Sequence, residues 1–346
     1  MIITRTPFRI SFVGGGSDMK EYYEQTPGAV LSTTIDKHMY IASHRFFDDD
    51  KVRVKYAKTE TVTKLDQLEH PIFREVLARF QISGALEISS NADIPAGSGL
   101  GSSSSFTVGL LHNLYARTGR YVAKDQLAQE ACEIEIDKLH EPIGKQDQYA
   151  AAFGSLNVFH FNPNGAVTVE PVLLKADIDK ALQDNLLMFY TGKQRFAAQI
   201  LSEQKANIQS AFVRESLKRM VDCVWEAQSA LYEGNLDRFG TILDKTWRLK
   251  QTLASNVTNP EINELYDQGV RNGAVGGKLL GAGGSGFLLF YCDKSRQHQL
   301  RAALAHLREL KFRFDTEGSK VIYFGDEHPV AMHRNDDMVE SMEEAL

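Results

Sequence analysis

The pattern of apolar and polar positions divides the chain into two textures. The first half alternates in the manner of strands followed by helices. Residues 9–13 read as a strand running into Gly14-Gly15-Gly16, residues 29–47 and 51–57 carry the Val, Ile, Thr and Tyr content of further strands, and residues 86–90 form another. After Gly101 a serine run opens an apolar stretch in which Phe106, Leu110 and Leu114 share one helical face, so the serines mark where a helix begins. A second helix is predicted from about 123 to 139, stopped near Pro142 and Gly144, with strands returning over 156–161 and 166–174. From about Asn185 the texture changes. A strand over 186–190 leads into long helical segments between 195 and 273, then a glycine cluster, an apolar strand over 287–291, a helix over 297–310 and a strand over 320–324. The predicted division is a first domain over 1–184, a second over 185–333 and an acidic tail over 334–346, either a short solvated helix or disordered.

Length agrees with two domains, since 346 residues face a prior of about 150 per domain. With 43% hydrophobic and 24% charged residues the composition excludes a disordered, collagenous or disulfide-built chain. The net charge of -6 provides no broad positive field for a polyanion, so nucleic acid is not an expected partner, although small anions can bind locally. Cys132, Cys223 and Cys292 are widely spaced and odd in number, the usage of a reducing compartment, and are expected to be inert core thiols. The first residues carry Arg5 and Arg9 and lack the apolar core of a signal peptide, and no apolar run approaches the ~20 residues of a membrane span. A soluble cytoplasmic protein without a membrane partner is expected; a homodimer is left open.

Three glycine-rich segments carry the candidate chemistry. The strongest is Pro95-Ala96-Gly97-Ser98-Gly99-Leu100-Gly101-Ser102-Ser103-Ser104-Ser105, between a strand and a helix. Glycines let backbone amides approach a phosphate closely, and the helix that follows turns its positive end toward the anion. The segment has neither the lysine of a P-loop nor the G-x-G-x-x-G of dinucleotide folds. A flexible linker is the competing reading, but a linker would not abut a helix start so tightly. The second segment, 276–286, contains a formal G-x-G-x-x-G at Gly281, Gly283 and Gly286, but a helical pattern precedes it and a strand follows, the reverse of the dinucleotide arrangement. It suits close backbone approach to a ligand or to the first glycine loop; a crowded helix-to-strand turn is the alternative. The third, from Arg9 to Asp18, sets three glycines after a strand and ends in a carboxylate.

On a helical wheel over 123–139, Leu127, Ala131 and Ile134 define the apolar face. Glu135 projects beside Ala131 and Ala128, whereas Glu130, Glu133 and Asp137 lie on the polar side. A carboxylate at an apolar position needs a cation or hydrogen-bond partner, and Mg²⁺ is one such cation; an internal ion pair is the alternative. Asp147, after Gly144 and Lys145, is either a proton acceptor or an ordinary helix-start Asp. None of the ten His forms a metal-ligand pair, so zinc is not expected.

Taken in order, these segments resemble the three motifs of the GHMP kinase superfamily over residues 7–287, the middle one matching P-x-G-x-G-L-G-S-S at 95–103. Within the family, Thr6-Pro7-Phe8-Arg9-Ile10-Ser11-Phe12-Val13-Gly14-Gly15-Gly16-Ser17-Asp18, Gly144-Lys145-Gln146-Asp147-Gln148-Tyr149 and Tyr190-Thr191-Gly192 are most similar to the D-glycero-D-manno-heptose 7-phosphate kinases, with bacterial fucokinases close behind. The resemblance implies an α/β (α+β) two-domain fold, a ribosomal-protein-S5-like domain followed by a ferredoxin-like one, with the active site between them. It implies ATP and Mg²⁺ as cofactors, ATP binding by Pro95, Gly97, Ser98, Gly99, Leu100, Gly101, Ser102, Ser103 and Ser104, and Mg²⁺ ligation by Ser103 and Glu135. Asp147 becomes the catalytic base and Arg9 the residue that lowers the barrier electrostatically. Asp18, Gly15, Gly16, Thr191, Gly192, Lys193, Arg195, Gly283 and Gly284 become substrate-binding positions. Galactokinases carry acidic and imidazole side chains where Gly15 and Gly16 stand, which argues against galactose and suggests space for a larger sugar. A distal phosphate would need cations, for which Lys193, Arg195, Lys37, His38 and Arg45 are candidates. Trp247 and Lys250 recur in heptose-kinase-like sequences, although helix packing explains the Trp equally well. The expected activity is ATP-dependent phosphorylation of the anomeric hydroxyl of the heptose 7-phosphate, yielding the 1,7-bisphosphate for nucleotide-activated heptose and surface polysaccharide. A fucokinase or other neutral-sugar 1-kinase, and a non-catalytic sugar- and ATP-sensing homologue, are the alternatives.

Overall fold

Apolar alternation in the first residues extends the strand predicted at 9–13 back to the N-terminus. In the computed structural model, which describes residues 1–192 and 197–325, β1 spans Ile2–Val13 and pairs antiparallel with an 18-residue β2, Gly28–Arg45. Between them lies the short α1, Lys20–Tyr23. Then follow β3 (Val52–Lys55), β4 (Thr59–Val62), α2 (Pro71–Arg79), β5 (Leu86–Ala92), α3 (Ser102–Arg117), α4 (Lys124–Cys132), α5 (Gln146–Phe153), β6 (Asn157–Phe161), β7 (Val167–Pro171) and α6 (Ala176–Asp184). The second half contributes β8 (Leu186–Tyr190), α7 (Ala197–Asn207), α8 (Ala211–Tyr232), α9 (Leu236–Lys250), α10 (Pro260–Arg271), β9 (Gly276–Leu279), β10 (Phe287–Tyr291), α11 (Gln297–Ala303), β11 (Arg308–Glu309), β12 (Phe314–Asp315) and β13 (Lys320–Phe324).

β2 is the spine of the first sheet because it is long enough to serve several partners. β1 runs along one of its edges, while β6, β12 and β5 share the other, at Gly28–Ser32, Thr34 and Ile35, and Met39–Arg45 respectively. α3 packs across β1 and β2, burying Phe106, Leu110, Leu111 and Leu114 in the main core. The second sheet, ordered β11-β8-β10-β9 and antiparallel throughout, forms a smaller core with Trp247, Tyr266 and Phe290.

Three differences from the sequence reading have physical causes. β13 pairs with β1 and β12 with β2, so the last described strands lie in the first sheet, not with the second domain of the expected 185–333 division. The glycine segment 276–286 follows a helix, α10, and precedes a strand, β10, as expected, but its first four residues themselves form a strand, β9: four residues with two glycines carry no helical or strand periodicity, and pairing with β10 decides their state. The helix predicted over 123–139 ends its α geometry at Cys132 and continues as a π-helical segment, Glu133–Lys138, so a wheel of 3.6 residues per turn fails beyond it. Glu130, assigned to the polar side, is buried and receives the Tyr115 hydroxyl at 2.6 Å, with Arg79 at 3.2 Å. All three cysteines are buried and free, and no described helix is long and apolar enough to cross a membrane.

Candidate active site

The first glycine segment turns sharply between β5 and α3. Gly99 and Gly101 have φ of +85° and +76°, conformations that exclude most side chains, and Gly101 is the N-cap of α3 with no side chain capping the helix. The first amides of α3, at Ser102, Ser103 and Ser104, therefore lack intrahelical acceptors and face a cavity with the positive end of the helix dipole behind them. β1 holds the turn in place: Arg9 N donates to Leu100 O at 3.0 Å, and Arg9 Nη1 to Gly99 O at 2.7 Å.

The second glycine loop joins β9 to β10 and closes on the first. A Cβ on Gly281 would lie 2.4 Å from Gly99 Cα, and one on Gly286 would lie 2.6 Å from Ser98 O, so the two loops meet backbone to backbone. Thr191 fastens this loop, donating its hydroxyl to Gly286 O at 3.0 Å and accepting from Gly286 N at 3.1 Å.

Between the loops the cavity measures about 270 Å³, many times the space of one water. Arg9, Gly15, Gly16, Asp18, Gly97, Gly99, Gly101, Ser102, Ser103, Ser104, Glu135, Asp147 and Gly283 all line it. Other expected positions do not. Pro95 is exposed, Leu100 is sunk in the core and Ser98 is buried behind the loop. Thr191 is spent on Gly286, Gly192 is exposed, and Gly284 is held by Val257 O and Asn259 Nδ2. Lys193 and Arg195 lie outside the described residues. Lys37 pairs with Asp36, Arg45 with Asp49 and His38 with Asp315, and none of the three lines the cavity. The space expected at Gly16 is filled, because a Cβ there would meet Gln204 Nε2 at 2.4 Å and Leu217 at 3.1 Å.

Three carboxylates converge. Asp147, in the first turn of α5, accepts Arg9 Nε and Nη2 at 2.7 Å each, a bidentate pair. Glu135 projects from the π-helical segment with no exposure, receiving Ser103 Oγ at 2.5 Å and Gln148 Nε2 at 2.8 Å. Burial pushes its pKa up to about 7 against these hydrogen bonds, with Asp147 adding repulsion. Asp18 accepts Gly16 N at 2.8 Å and both Gln146 N and Gln146 Nε2 at 3.2 Å; burial raises its pKa, and Asp147 again adds to the rise. Gly144 makes that last contact feasible, since a Cβ there would lie 2.0 Å from Asp18 Oδ2.

Opposite stand cations that sequence reasoning missed or left without a role. Lys278, from β9, donates to Ser11 O and Phe12 O at 2.8 and 2.7 Å, and Lys250, from the end of α9, donates to Leu279 O at 3.0 Å and to Gly281 O. Burial lowers both ammonium pKa values, that of Lys250 to about 7. The signal for Lys278 was its place inside a glycine cluster, where a long cation has little reason to be unless it reaches a ligand or a carbonyl.

Residues 68–155 match the family described as GHMP kinases N terminal domain, and residues 227–310 match GHMP kinases C terminal. This chain belongs to the GHMP kinases. It is a sugar kinase, a phosphotransferase with an alcohol acceptor. Among its relatives, the D-glycero-alpha-D-manno-heptose 7-phosphate kinase of Campylobacter jejuni is 28% identical over 92% of this chain and 98% of its own. The bifunctional fucokinase/GDP-fucose pyrophosphorylase of Arabidopsis thaliana is 25% identical over 86% of this chain but only 30% of its own. A crystal structure described as a D-glycero-D-manno-heptose 1-phosphate kinase from Bacteriodes thetaiotaomicron shares the fold with a TM-score of 0.77, at 24% identity over 94% of this GHMP kinase and 100% of that chain.

Proposed function

We propose that this GHMP kinase transfers the γ-phosphoryl of ATP to the anomeric hydroxyl of D-glycero-D-manno-heptose 7-phosphate, giving the 1,7-bisphosphate, in the cytoplasm. The observation that carries the reading is the bidentate Arg9–Asp147 pair, set between the first glycine loop and Asp18, where an acceptor hydroxyl and a γ-phosphate would meet. In this reading the amides of the first turn of α3 bind the nucleotide phosphates. Asp18 and Gln146 orient the sugar, Asp147 accepts the hydroxyl proton, and Arg9 stabilises charge developing on the phosphoryl oxygens.

The donor set fits Mg²⁺. The Glu135 carboxylate and Ser103 hydroxyl are oxygen ligands beside the phosphate cradle, and Gln148 Oε1 is buried nearby without a partner. When bound there, Mg²⁺ supplies positive charge to the phosphate oxygens. Glu135 and Ser103 would hold it, which also explains a carboxylate kept in a fully buried position.

Support for a heptose phosphate comes from the Campylobacter jejuni relative, which the chain matches almost end to end. A neutral-sugar reading draws on the fucokinase relative. ADP formation measured over a panel of neutral sugars and sugar phosphates separates them. Turnover with the heptose 7-phosphate and not with L-fucose is expected, and turnover with L-fucose alone would replace our reading by the second.

A further inference from the structure

Lys250 and Lys278 are only 8% and 3% exposed, yet both line the cavity. Each ammonium spends two of its three N–H groups on backbone carbonyls, leaving one donor over. The charges acting most strongly on them are cationic: Arg9 of β1 faces Lys250, and Arg9 and Lys250 both face Lys278. Carbonyl dipoles alone do not hold two buried ammonium groups charged beside each other and a guanidinium whose own charge is taken up by Asp147, so both are pushed toward the neutral amine. Beside them Ser11 Oγ is buried, lines the same cavity and has no hydrogen-bond partner. Two uncompensated ammonium groups and a free hydroxyl converging on a cavity form a receptor for a compact, multiply charged oxyanion.

We propose that Lys250, Lys278 and the Ser11 hydroxyl, beside Arg9, form a binding site for the oxygens of one phosphate group. The phosphate is either the group being transferred or one already present on the acceptor. This inference rests on the kinase reading of the cavity but not on the heptose assignment. It explains why lysine, rather than a neutral donor, spans the carbonyls of the second glycine loop and of β1.

Inorganic sulfate is the probe, because it does not titrate between pH 6 and 8. Calorimetry on the wild-type protein in buffers of different ionisation heat should show sulfate binding with net proton uptake at pH 8, as neutral lysine amines are forced to protonate. Uptake should be smaller near pH 6, where Lys250 is largely protonated and only Lys278 is left to charge. Lys250→Met should weaken sulfate at least tenfold, while Lys250→Arg should keep affinity within about threefold with reduced uptake. Should Lys250→Met fail to fold, the wild-type titration still decides: no sulfate binding, or binding without proton uptake at pH 8, overturns the proposal. Unchanged affinity in a folded Lys250→Met protein overturns it as well. Competition identifies the source. Displacement by ATP but not ADP assigns the site to the transferred group, and displacement by a sugar phosphate but not the neutral sugar assigns it to the acceptor. Displacement by ADP as readily as by ATP places sulfate in the first glycine loop and refutes the proposal, as does displacement by none of these. Failure of the heptose 7-phosphate to turn over would leave the sulfate results standing.

Discussion

Replacing Asp147 by Asn exchanges two anionic acceptors for one acceptor and one donor. Arg9 reaches both oxygens at 2.7 Å, so the Asn amide can keep one bond but turns N–H toward N–H at the other. The side chains are 6% and 22% exposed, which places the pair between exposed ion pairs and fully buried ones. Exposed pairs contribute about 0.2–1 kcal/mol, and breaking a buried pair costs about 3–5 kcal/mol, so a folding loss of about 2 kcal/mol is expected. At about 2–4 °C per kcal/mol this lowers Tm by about 4–8 °C. General-base assistance contributes about 10² to 10⁴ in rate, or about 3–5 kcal/mol. Phosphoryl transfer is largely dissociative, so the lower end applies and kcat should fall by about 10² with KM for ATP and sugar little changed. A loss of about 2 kcal/mol leaves most molecules of an ordinary domain folded, so unfolding cannot mimic the kinetic effect. The assay is steady-state ADP release at saturating Mg²⁺, paired with thermal melting. A folded variant with kcat within about threefold of wild type would refute the assignment of Asp147 as base.

Gly281→Ala should abolish ATP binding although it lies outside the first glycine loop, because its Cβ would strike Gly99 Cα at 2.4 Å; Gly119→Ala, whose Cβ meets nothing within 4 Å, is the control, and equal nucleotide affinities in the two would contradict the docking of the loops. Glu135→Ala should lose Mg²⁺-dependent turnover with little loss of Tm, since it also removes a carboxyl held at an unfavourable pKa of about 7; full turnover in a Mg²⁺ titration of the folded variant would count against its role. Lys250 has a folded pKa lowered from 10.5 to about 7, so between these values the unfolded chain binds more protons, and the contribution of Lys250 to stability improves as pH rises. The Tm difference, wild type minus Lys250→Met, should therefore rise from about pH 6.5 to 9 in buffers free of phosphate and sulfate; a flat or falling difference would show that the ammonium is not held at a lowered pKa.

Strands β8, β10 and β13 were legible because unbroken runs of five, five and four apolar positions leave little choice of local state. Their partners were not. That β13 returns to β1 depends on contacts more than 300 residues apart, which no local pattern contains. The start of α3 was legible because glycines followed by serines both mark a helix N-terminus and build an anion site, so one signal served twice. Glu135 stood out by its apolar neighbours, but Glu130 did not: it lies within α4, ahead of the π-helical segment, at the margin of the apolar face beside Ile134 and Leu127, where a wheel does not separate a buried position from an exposed one. Thr191 follows a strand at the site's edge, and only the pairing of β8 with β10 turns its hydroxyl toward Gly286 rather than the cavity. Lys278 offered only the oddity of a lysine among glycines; the carbonyls it reaches, those of Ser11 and Phe12 on β1, lie more than 260 residues away and no local pattern contains them.

The central claim is tested most directly by the position of the phosphate in the product. The protein would be incubated with ATP, Mg²⁺ and D-glycero-D-manno-heptose 7-phosphate, and the product followed by phosphorus NMR. A second phosphorus resonance coupled to the anomeric proton, growing in step with ADP and absent without Mg²⁺, is the predicted result. ADP release with no anomeric phosphate, or no turnover of the heptose 7-phosphate beside turnover of a neutral sugar, would contradict it.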